Sequence, residues 1–429
     1  MSERYRQSEA FLAHAEAVIP LGSQTFSKSK TQYPYGVSPY FADHAQGCRL
    51  WDIDGNEYID CVMSLAAVTL GYNDPDVNAA VRAQLDQGSI FSLPAKIETE
   101  VAERLCAMVP CAEQVRFGKN GSDATAGAIR LARAYTGRDH VLVCGYHGWQ
   151  DWYIGSTARH KGVPEAVRAL THSFPYNDLA ALDALFEEFS GQIAAVILEP
   201  MNVVEPASGF LAGVRERCTR HGAVLVFDET ITGFRFANGG AQESFGVTPD
   251  LATFGKGLAN GFPLSALVGR RELMQEMEEI FFSFTFGGET LSLAAARATL
   301  DKLATEPILA SIAARGHRLK AGLAARIEQY GLNACLSVSG HPSWTFLVIR
   351  DAGKATQHEI KTWLMQEMLA RGILWIGTHN LSAAHDDAAI DRLLAVYDEI
   401  LPRLAEHLAS DSLLQALRCQ PLEPLFRVR

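Results

Sequence analysis

The stretch AVLVFDETITGFR, residues 223–235, indicates the fold most directly. Its first five residues are apolar and lead straight into Asp228 and Glu229, a pattern typical of a buried strand that ends in carboxylates. Parallel sheets bind their ligands at the carboxyl ends of their strands. The segment therefore predicts a parallel α/β sheet with an acid at its ligand edge, although an isolated acid in this position could also be a helix cap or one half of a structural ion pair.

Short apolar runs alternate with amphipathic helical segments through the middle of the chain. This alternation predicts a mostly parallel central sheet with helices on both faces. The apolar runs are 140–146, 194–200, 223–229 and 265–270, and the clearest helical segments are 76–87 and 97–109.

Both ends of the chain have a different pattern. Residues 48–61 alternate around Asp54-Gly55, a turn dipeptide that predicts an antiparallel hairpin. Two long helical patterns flank the strand-like runs 335–340 and 344–350, and a further helix follows from Asp387. These features predict a smaller α+β domain. The expected division is an N-terminal segment 1–70 that joins the small domain, a large domain 71–304, and a C-terminal small domain 305–429.

The composition limits the classes of partner. With 49 acidic and 38 basic residues, a formal net charge of -11 and no long basic run, the chain does not suit nucleic acid or anionic membranes, so a small-molecule substrate is expected. The eight cysteines form no CxxC pair and no histidines cluster at ligand spacing, which predicts reduced thiols and no metal. Without a secretory signal or a membrane-spanning apolar run, the expected location is cytoplasmic.

Lys256 lies between two glycines in TFGKGLANGFPLSALVGR, 28 residues after Asp228. Gly255 and Gly257 permit positive φ and leave room for a ligand to approach the backbone. A crowded lysine there can lose its proton, as a Schiff-base amine requires. A surface turn is the alternative interpretation of the tripeptide.

A second element is the segment 118–122, GKNGS, which connects a strand pattern to a clear helix. The free N–H groups and the positive dipole end of a helix start bind phosphate, and Ser122 adds a hydroxyl. The alternative is an ordinary helix cap by Ser122 or Asp123.

A third element places Tyr146, His147 and Trp149 just after an apolar strand pattern. An aromatic ring there could stack on a planar heterocycle, or it could belong to the core. A phosphate site, an aromatic ring, a carboxylate and a lysine are the contacts that pyridoxal 5'-phosphate (PLP) needs. Taken together, the motifs predict PLP as the cofactor.

With these motifs in order, the chain resembles the class III aminotransferases of PLP fold type I, whose fold is aspartate aminotransferase-like, and within them the glutamate-1-semialdehyde aminomutase branch. The similarity runs along nearly the whole sequence. It is carried by LWDIDGNEYID (50–60), NGSDATAGAIRLARAYTGR (120–138), GYHGW (145–149), VFDETITGFR (226–235), GVTPDLATFGKGLANGFPLSALVGRR (246–271) and FTFGGETLSLAAA (284–296).

The resemblance implies a role for individual residues. Lys256 would form the Schiff base with the cofactor, and Asp228 would pair with the pyridine nitrogen. Thr285 would reach the phosphate from the neighbouring subunit, which implies a homodimer with shared active sites. The implied cofactor-binding residues are Asn120, Gly121, Ser122, Tyr146, Glu199, Asp228, Thr230, Lys256 and Thr285.

Several positions depart from the aminomutase pattern. Lys28 stands where that pattern has its substrate-carboxylate arginine, and a lysine does not offer the same planar two-point grip. Gly377 replaces an acidic residue, Leu65 a tryptophan and Thr230 a valine. These departures favour a specialised aminotransferase that moves an amino group from a donor, such as glutamate, to an aldehyde or ketone. Intramolecular transfer, as in the aminomutase, is the alternative.

Substrate residues are expected at Lys28 and Trp149. The stretch with Trp149 and Trp152 looks like that of relatives that aminate sugars in polysaccharide or aminoglycoside assembly, and aromatic rings suit sugar faces. Both tryptophans could equally be packing residues, and Lys28 could be a solvated loop charge. His147 is interpreted as a satisfied structural histidine.

Overall fold

The computed structural model describes residues 3–423, which form two compact units. The larger unit comprises Ala66–Thr69 and Pro75–Leu309. The smaller unit comprises the described residues up to Leu65, the short stretch Leu70–Asp74, and the described chain from Ala310 onward.

Strands and helices alternate through the larger unit, as the apolar periodicity predicts. The strands of the described chain are β1 Ala42–Gln46, β2 Arg49–Asp52, β3 Glu57–Asp60, β4 Gln114–Gly118, β5 His140–Cys144, β6 Thr171–Ser173, β7 Ile193–Leu198, β8 Val224–Asp228, β9 Leu251–Phe254, β10 Ser265–Gly269, β11 Leu336–His341, β12 Trp344–Ile349, β13 Ile373–Leu374 and β14 Thr378–Asn380. The helices are α1 Arg6–Val18, α2 Met63–Ala66, α3 Pro75–Leu85, α4 Lys96–Met108, α5 Gly121–Thr136, α6 Asp151–Ile154, α7 Glu165–Arg168, α8 Leu179–Glu188, α9 Phe210–His221, α10 Ala241–Phe245, α11 Arg271–Met274, α12 Thr290–Thr305, α13 Ile308–Gln329, α14 Gln357–Ala370, α15 Asp387–Ala409 and α16 Leu413–Ala416.

The larger unit is built on a seven-stranded sheet in the order β4-β10-β9-β8-β7-β5-β6. Strands β9, β8, β7, β5 and β6 pair in parallel, and β10 runs antiparallel to both of its neighbours. The expected α/β class with a mostly parallel sheet is therefore confirmed. The apolar run at 265–270 does form a strand, but it is the antiparallel one.

Burial of the central strands explains their unbroken apolar sequences. Every residue of β7 and β8 is buried, because helices cover both faces of a parallel sheet. Helix α5 packs its alanine-rich face, including Ala124, Ala128 and Leu131, into the core beside these strands. Gly137 ends α5 in the left-handed conformation with φ of 65°, which suits glycine.

The smaller unit contains a four-stranded sheet, β1-β2-β3-β13, and a three-stranded sheet, β11-β12-β14. The predicted hairpin is present as β2 and β3, which pair antiparallel around Gly55 at φ of 82°. The expected strands at 335–340 and 344–350 are β11 and β12, and the expected terminal helix is α15.

The short element α2 has a left-handed backbone and forms a single turn. Its four residues, Met63 to Ala66, have φ between 46° and 67°. Such a turn costs roughly 1–2 kcal/mol per residue for side chains other than glycine. Asp60 helps to hold it, because its Oδ1 accepts the N–H groups of Val62 at 2.6 Å and Met63 at 3.0 Å.

Within residues 3–423, no helix has both the length and the apolar character that crossing a membrane would need. All eight cysteines are free thiols.

Candidate active site

The predicted site residues follow the carboxyl ends of neighbouring parallel strands in the larger unit. Asp228 ends β8, Glu199 comes directly after β7, and Tyr146 lies two residues beyond β5. Lys256 comes two residues after β9. Because β9, β8, β7 and β5 are adjacent and parallel, these four residues arrive at one edge of the sheet, where parallel sheets bind ligands.

The Asp228 carboxylate is buried, and its two oxygens have different partners. Oδ2 lies 2.8 Å from Nδ1 of His147, and Oδ1 accepts the Thr230 N–H at 3.1 Å. Oδ1 also accepts the hydroxyls of Thr230 at 2.6 Å and Thr253 at 3.2 Å. Burial would raise the pKa of Asp228, but His147 and these hydrogen bonds hold it below its ordinary value. The acid is therefore kept as a carboxylate.

His147 connects two elements around this acid. Its ring is buried, and its backbone carbonyl accepts the Thr125 hydroxyl of α5 at 2.8 Å. Its Nε2 is also buried but has no hydrogen-bond partner within residues 3–423. The interpretation of His147 as a satisfied structural histidine is therefore wrong, because one ring nitrogen bonds the candidate cofactor acid and the other bonds nothing in the described chain.

Lys256 begins a short 3-10 helix, Lys256–Ala259, with φ of 42°. Its amine forms no hydrogen bond or ion pair within the described chain. Burial lowers the pKa of Lys256, while the negative charges of Asp228 and Glu199 partly oppose that effect. Lys256 therefore loses its proton more readily than an exposed lysine.

Helix α5 starts at Gly121, with Asn120 as its N-cap residue. The Asp123 carboxylate accepts the N–H groups of Asn120 at 2.7 Å and Lys119 at 3.1 Å. Ser122 Oγ has no hydrogen bond to any residue between 3 and 423. Asp123 thus acts as the local cap, and the Ser122 hydroxyl is left available for a ligand.

Two glycines let backbone and side chains approach closely around this helix start. A Cβ on Gly148, whose φ is 109°, would lie 2.7 Å from Ser122 Cβ, and a Cβ on Gly121 would lie 3.0 Å from Thr230 Cγ2. The N–H groups at the helix start and the Ser122 hydroxyl therefore lie in a closely packed part of the chain. These donors fit a phosphate group.

Tyr146 and Glu199 are joined at the same sheet edge. The Tyr146 N–H donates to Glu199 Oε2 at 3.1 Å, and Asn202 Nδ2 donates to the same oxygen at 2.9 Å. The Tyr146 ring is 47% exposed and meets Tyr153 edge-on, with centroids 5.6 Å apart. An exposed aromatic face beside the acid can stack on a planar ring.

Other predicted site residues lie outside this cluster of contacts. Thr285 is exposed in the segment before α12, and Trp149 is 67% exposed, whereas Trp152 is buried in the core of the larger unit. Lys28 belongs to the smaller unit, at the end of the 3-10 helix Phe26–Lys28. Of the two tryptophans considered for substrate binding, only Trp149 is accessible.

Residues 32–384 match the sequence model of the aminotransferase class-III family, so the chain belongs to that family. Its fold is that of the PLP-dependent class III aminotransferases. The sequence-based predictions of the family, the fold type I architecture and the PLP cofactor are confirmed.

Three relatives illustrate the similarity. Glutamate-1-semialdehyde 2,1-aminomutase of Nitrosospira multiformis is 38% identical over 398 residues, covering 86% of this chain and 93% of the relative. The FumI protein of Sphingopyxis sp. MTA144, solved in a PLP internal aldimine form, is 31% identical with a TM-score of 0.88, over 97% of this chain and 99% of that one. A glutamate-1-semialdehyde aminomutase from Pseudomonas aeruginosa PAO1, solved with PMP, is 26% identical with a TM-score of 0.82, over 94% and 95% of the two chains.

Proposed function

We propose that this aminotransferase moves an amino group from an amino donor to a separate aldehyde or ketone acceptor, with Lys256 as its covalent cofactor residue. The observation that carries the proposal is the unbonded amine of Lys256 at the same sheet edge as the buried Asp228–His147 pair. When bound, PLP supplies an electron sink for the bond that is broken at the substrate Cα.

Different residues of the larger unit would bind the cofactor and transfer the proton. Asp228 would hold a proton on the pyridine nitrogen, and His147 would orient Asp228. Tyr146 would stack on the ring. The Lys256 amine, with its lowered pKa, would carry the proton at the substrate Cα. The phosphate would be held by Asn120, Gly121 and Ser122, and Glu199 and Thr230 would complete the surroundings of the ring.

Borohydride reduction of the holoenzyme followed by peptide mapping tests the covalent role. The reduced cofactor label is expected on Lys256. Lys119 is a matched control, because it is also a lysine of the larger unit, but it is paired with Glu289 at 3.0 Å. A label on Lys119 or on any other lysine, with Lys256 unmodified, would contradict the proposal.

Intramolecular transfer is the second candidate, because the curated relatives that match over most of the chain are named glutamate-1-semialdehyde 2,1-aminomutase. Against it stand Lys28, Leu65 and Gly377, which depart from the aminomutase pattern. Labelling with ¹⁵N separates the candidates. A transferase moves nitrogen from an added donor into the product, whereas a mutase gives unlabelled product from a single substrate.

The donor and the acceptor are open to direct measurement. Glutamate is our first choice of donor, and a sugar carbonyl is one acceptor to test, since the Trp149 ring is exposed and aromatic rings stack on sugar faces. A donor panel ranked by the rate at which the cofactor absorbance bleaches would identify the preferred amine. Equal rates with and without a ring in the acceptor would remove the support for sugars.

We also propose a homodimer with shared sites. Phe281 is 82% exposed, Phe286 is 56% exposed and Leu93 is 78% exposed. Large apolar side chains of this kind mark protein interfaces when they lie on one surface. Thr285 lies within the same exposed segment as the two phenylalanines.

The cytoplasmic location stays a prediction from the sequence.

The dimer is tested by mass photometry of wild-type protein and the variant Phe281→Asp. The wild type is expected at twice the chain mass, and the variant at a larger monomer fraction with weaker cofactor retention. A monomeric wild type that retains PLP and full activity would contradict the shared site.

A further inference from the structure

The smaller unit contains a cavity of about 830 Å³. That volume lies within the range of about 300–1,000 Å³ that is common for small-molecule pockets. Its lining residues come from the N-terminal region, from helix α14 and from the segment that follows α16, and all of them belong to the smaller unit. None of them is among the residues proposed to bind the cofactor or the substrate.

Glu9 is a buried acid in the wall of this cavity, with 7% of the residue exposed. Both of its carboxylate oxygens are buried, and neither has a hydrogen-bond partner within residues 3–423. Gly36 lines the cavity beside it, since a Cβ on Gly36 would lie 4.0 Å from Glu9 Oε1. A buried carboxylate without donors is costly in a folded protein, so it points to a donor that a ligand supplies.

The position of Glu9 in the first turn of α1 offers a structural alternative, because acids at this position often stabilise a helix start. Another acid already has that role. Asp54 accepts the N–H group of Gln7 at 2.7 Å and that of Ser8 at 2.9 Å. Glu9 is therefore not needed as the cap of α1.

Arg418 brings a cation to the same cavity. Its side chain is 59% exposed, and its guanidinium lies 3.5 Å from the Glu367 carboxylate. That carboxylate is shared, because Arg403 pairs with it at 2.6 Å and Arg371 at 2.8 Å. One carboxylate does not neutralise three guanidinium groups, so Arg418 can accept a further anion at the cavity.

Arg4 also lines the cavity, but its guanidinium has other contacts. It donates to the Leu369 carbonyl at 3.4 Å, and it lies 5.7 Å from the ring centre of Tyr5 and 5.8 Å from that of Tyr58. These contacts make Arg4 part of the cavity wall. Arg418 is the more accessible of the two cations.

We propose that this cavity binds a free amino acid with an apolar side chain, whose ammonium group pairs with Glu9 and whose carboxylate pairs with Arg418. A zwitterion uses both of the opposite charges that the wall offers, whereas a simple acid or a simple amine uses only one. Val37, Ala370 and Leu417 provide apolar contacts for the side chain. The inference does not rest on the proposed function, because no lining residue takes part in cofactor or substrate binding.

Calorimetric titration of the borohydride-reduced holoenzyme with phenylalanine tests the binding. Reduction prevents the cofactor from exchanging amines, so binding is measured apart from transamination. Two comparison ligands each keep one charge: 3-phenylpropanoate lacks the ammonium group, and 2-phenylethylamine lacks the carboxylate. Phenylalanine should bind at least about tenfold more tightly than 3-phenylpropanoate and about threefold more tightly than 2-phenylethylamine, since the buried charge contributes more than the exposed one.

Variants at the two charged residues assign the contacts. Glu9→Gln should weaken phenylalanine at least about tenfold and leave 3-phenylpropanoate unchanged, because only the ammonium contact is lost. Arg418→Met should weaken phenylalanine about threefold and leave 2-phenylethylamine unchanged. Glu16→Gln is the matched control and should bind like the wild type, since Glu16 lies on the same helix but pairs with Lys30 at 2.5 Å.

Circular dichroism and thermal melting identify a variant that fails to fold. If Glu9→Gln does not fold, Arg418→Met decides, because that side chain is exposed. No binding of phenylalanine to folded wild type, or equal binding by the wild type and either folded variant, would overturn the inference. A cofactor label on a lysine other than Lys256, together with Glu9-dependent binding of phenylalanine, would end the proposed function and leave this inference standing.

Discussion

Nδ1 of His147 lies 2.8 Å from Oδ2 of Asp228, and both side chains are buried. The two residues are 81 positions apart, with His147 in the loop that follows β5 and Asp228 at the end of β8. When Nδ1 carries a proton it donates to the carboxylate, which fixes the orientation of the acid and favours its charged form. The electrostatics of the proposed cofactor site therefore depend on a pair of residues.

Replacement of His147 by phenylalanine should slow the reaction with an amino donor by about 10- to 100-fold, as for other residues that orient a functional group. The ring volume is kept, but the donor to Asp228 is lost and the pKa of Asp228 should rise. Stopped-flow absorbance of the donor reaction measures the rate. His147→Asn, which restores a donor near the same place, should recover part of it, and a full rate in His147→Phe would show that the pair does not matter.

Replacement of Lys256 by methionine should make the cofactor-free protein more stable, by on the order of 1 kcal/mol. Burial lowers the pKa of Lys256, so below that pKa the folded state must hold a poorly solvated charge. The methionine variant removes this cost at neutral pH, and the difference should shrink as the pH rises through the folded pKa of the lysine. Urea unfolding of both apo proteins measures the free energy. Lower stability of the variant at pH 7 would contradict this account.

Alanine at Gly148 should destabilise the fold by roughly 1–3 kcal/mol and weaken PLP retention, since the added Cβ would lie 2.7 Å from Ser122 Cβ. Gly162→Ala is the matched control. Gly162 has a similar φ of 93°, but a Cβ there would meet nothing within 4 Å. Both variants share the backbone strain, and only Gly148→Ala also has the clash with Ser122 at the proposed phosphate site. Equal PLP retention in the two variants would argue against a phosphate next to Ser122.

Local patterns were enough to predict much of the fold. The apolar runs that became β5, β7 and β8 are buried on both faces, so their sequences carry a strong signal. The strand 265–269 has the same apolar character, yet it runs antiparallel, and no local feature of its sequence distinguishes direction. Direction depends on how the chain crosses the sheet, which is a long-range property.

In the candidate site, too, local sequence motifs predicted some features, and others depended on long-range contacts. Lys256 and Asp228 stand in motifs with clear chemistry, but the contact of His147 with Asp228 depends on two strands that are not consecutive in the chain. The bond between Asp123 and the N–H groups at the start of α5 left Ser122 available, and sequence alone could not choose between Ser122 and Asp123 as the cap. The left-handed turn at Met63–Ala66 contains neither glycine nor asparagine, the residues that usually adopt this conformation, so its sequence did not predict it.

Stability should depend on pH through His379 in the smaller unit. This histidine is fully buried, and its Nε2 lies 2.8 Å from the Tyr397 hydroxyl. Burial, together with the charge of His385, lowers the pKa of His379 from 6.5 to about 3. The unfolded chain therefore binds a proton that the folded protein does not, at any pH between these two values.

The folded pKa is the lower one, so this contribution to stability is fully present above pH 6.5 and is lost as the pH falls from 6.5 towards 3. The free energy of unfolding should drop by up to about 1.4 kcal/mol for each pH unit within that window. Denaturant unfolding at pH 7.0, 6.0 and 5.0 measures the slope, before most carboxylates titrate. His379→Gln cannot gain that proton and should be less stable at pH 7 but show a shallower slope. Identical slopes in the wild type and the variant would mean that His379 is not the group responsible, because no other change separates the two proteins.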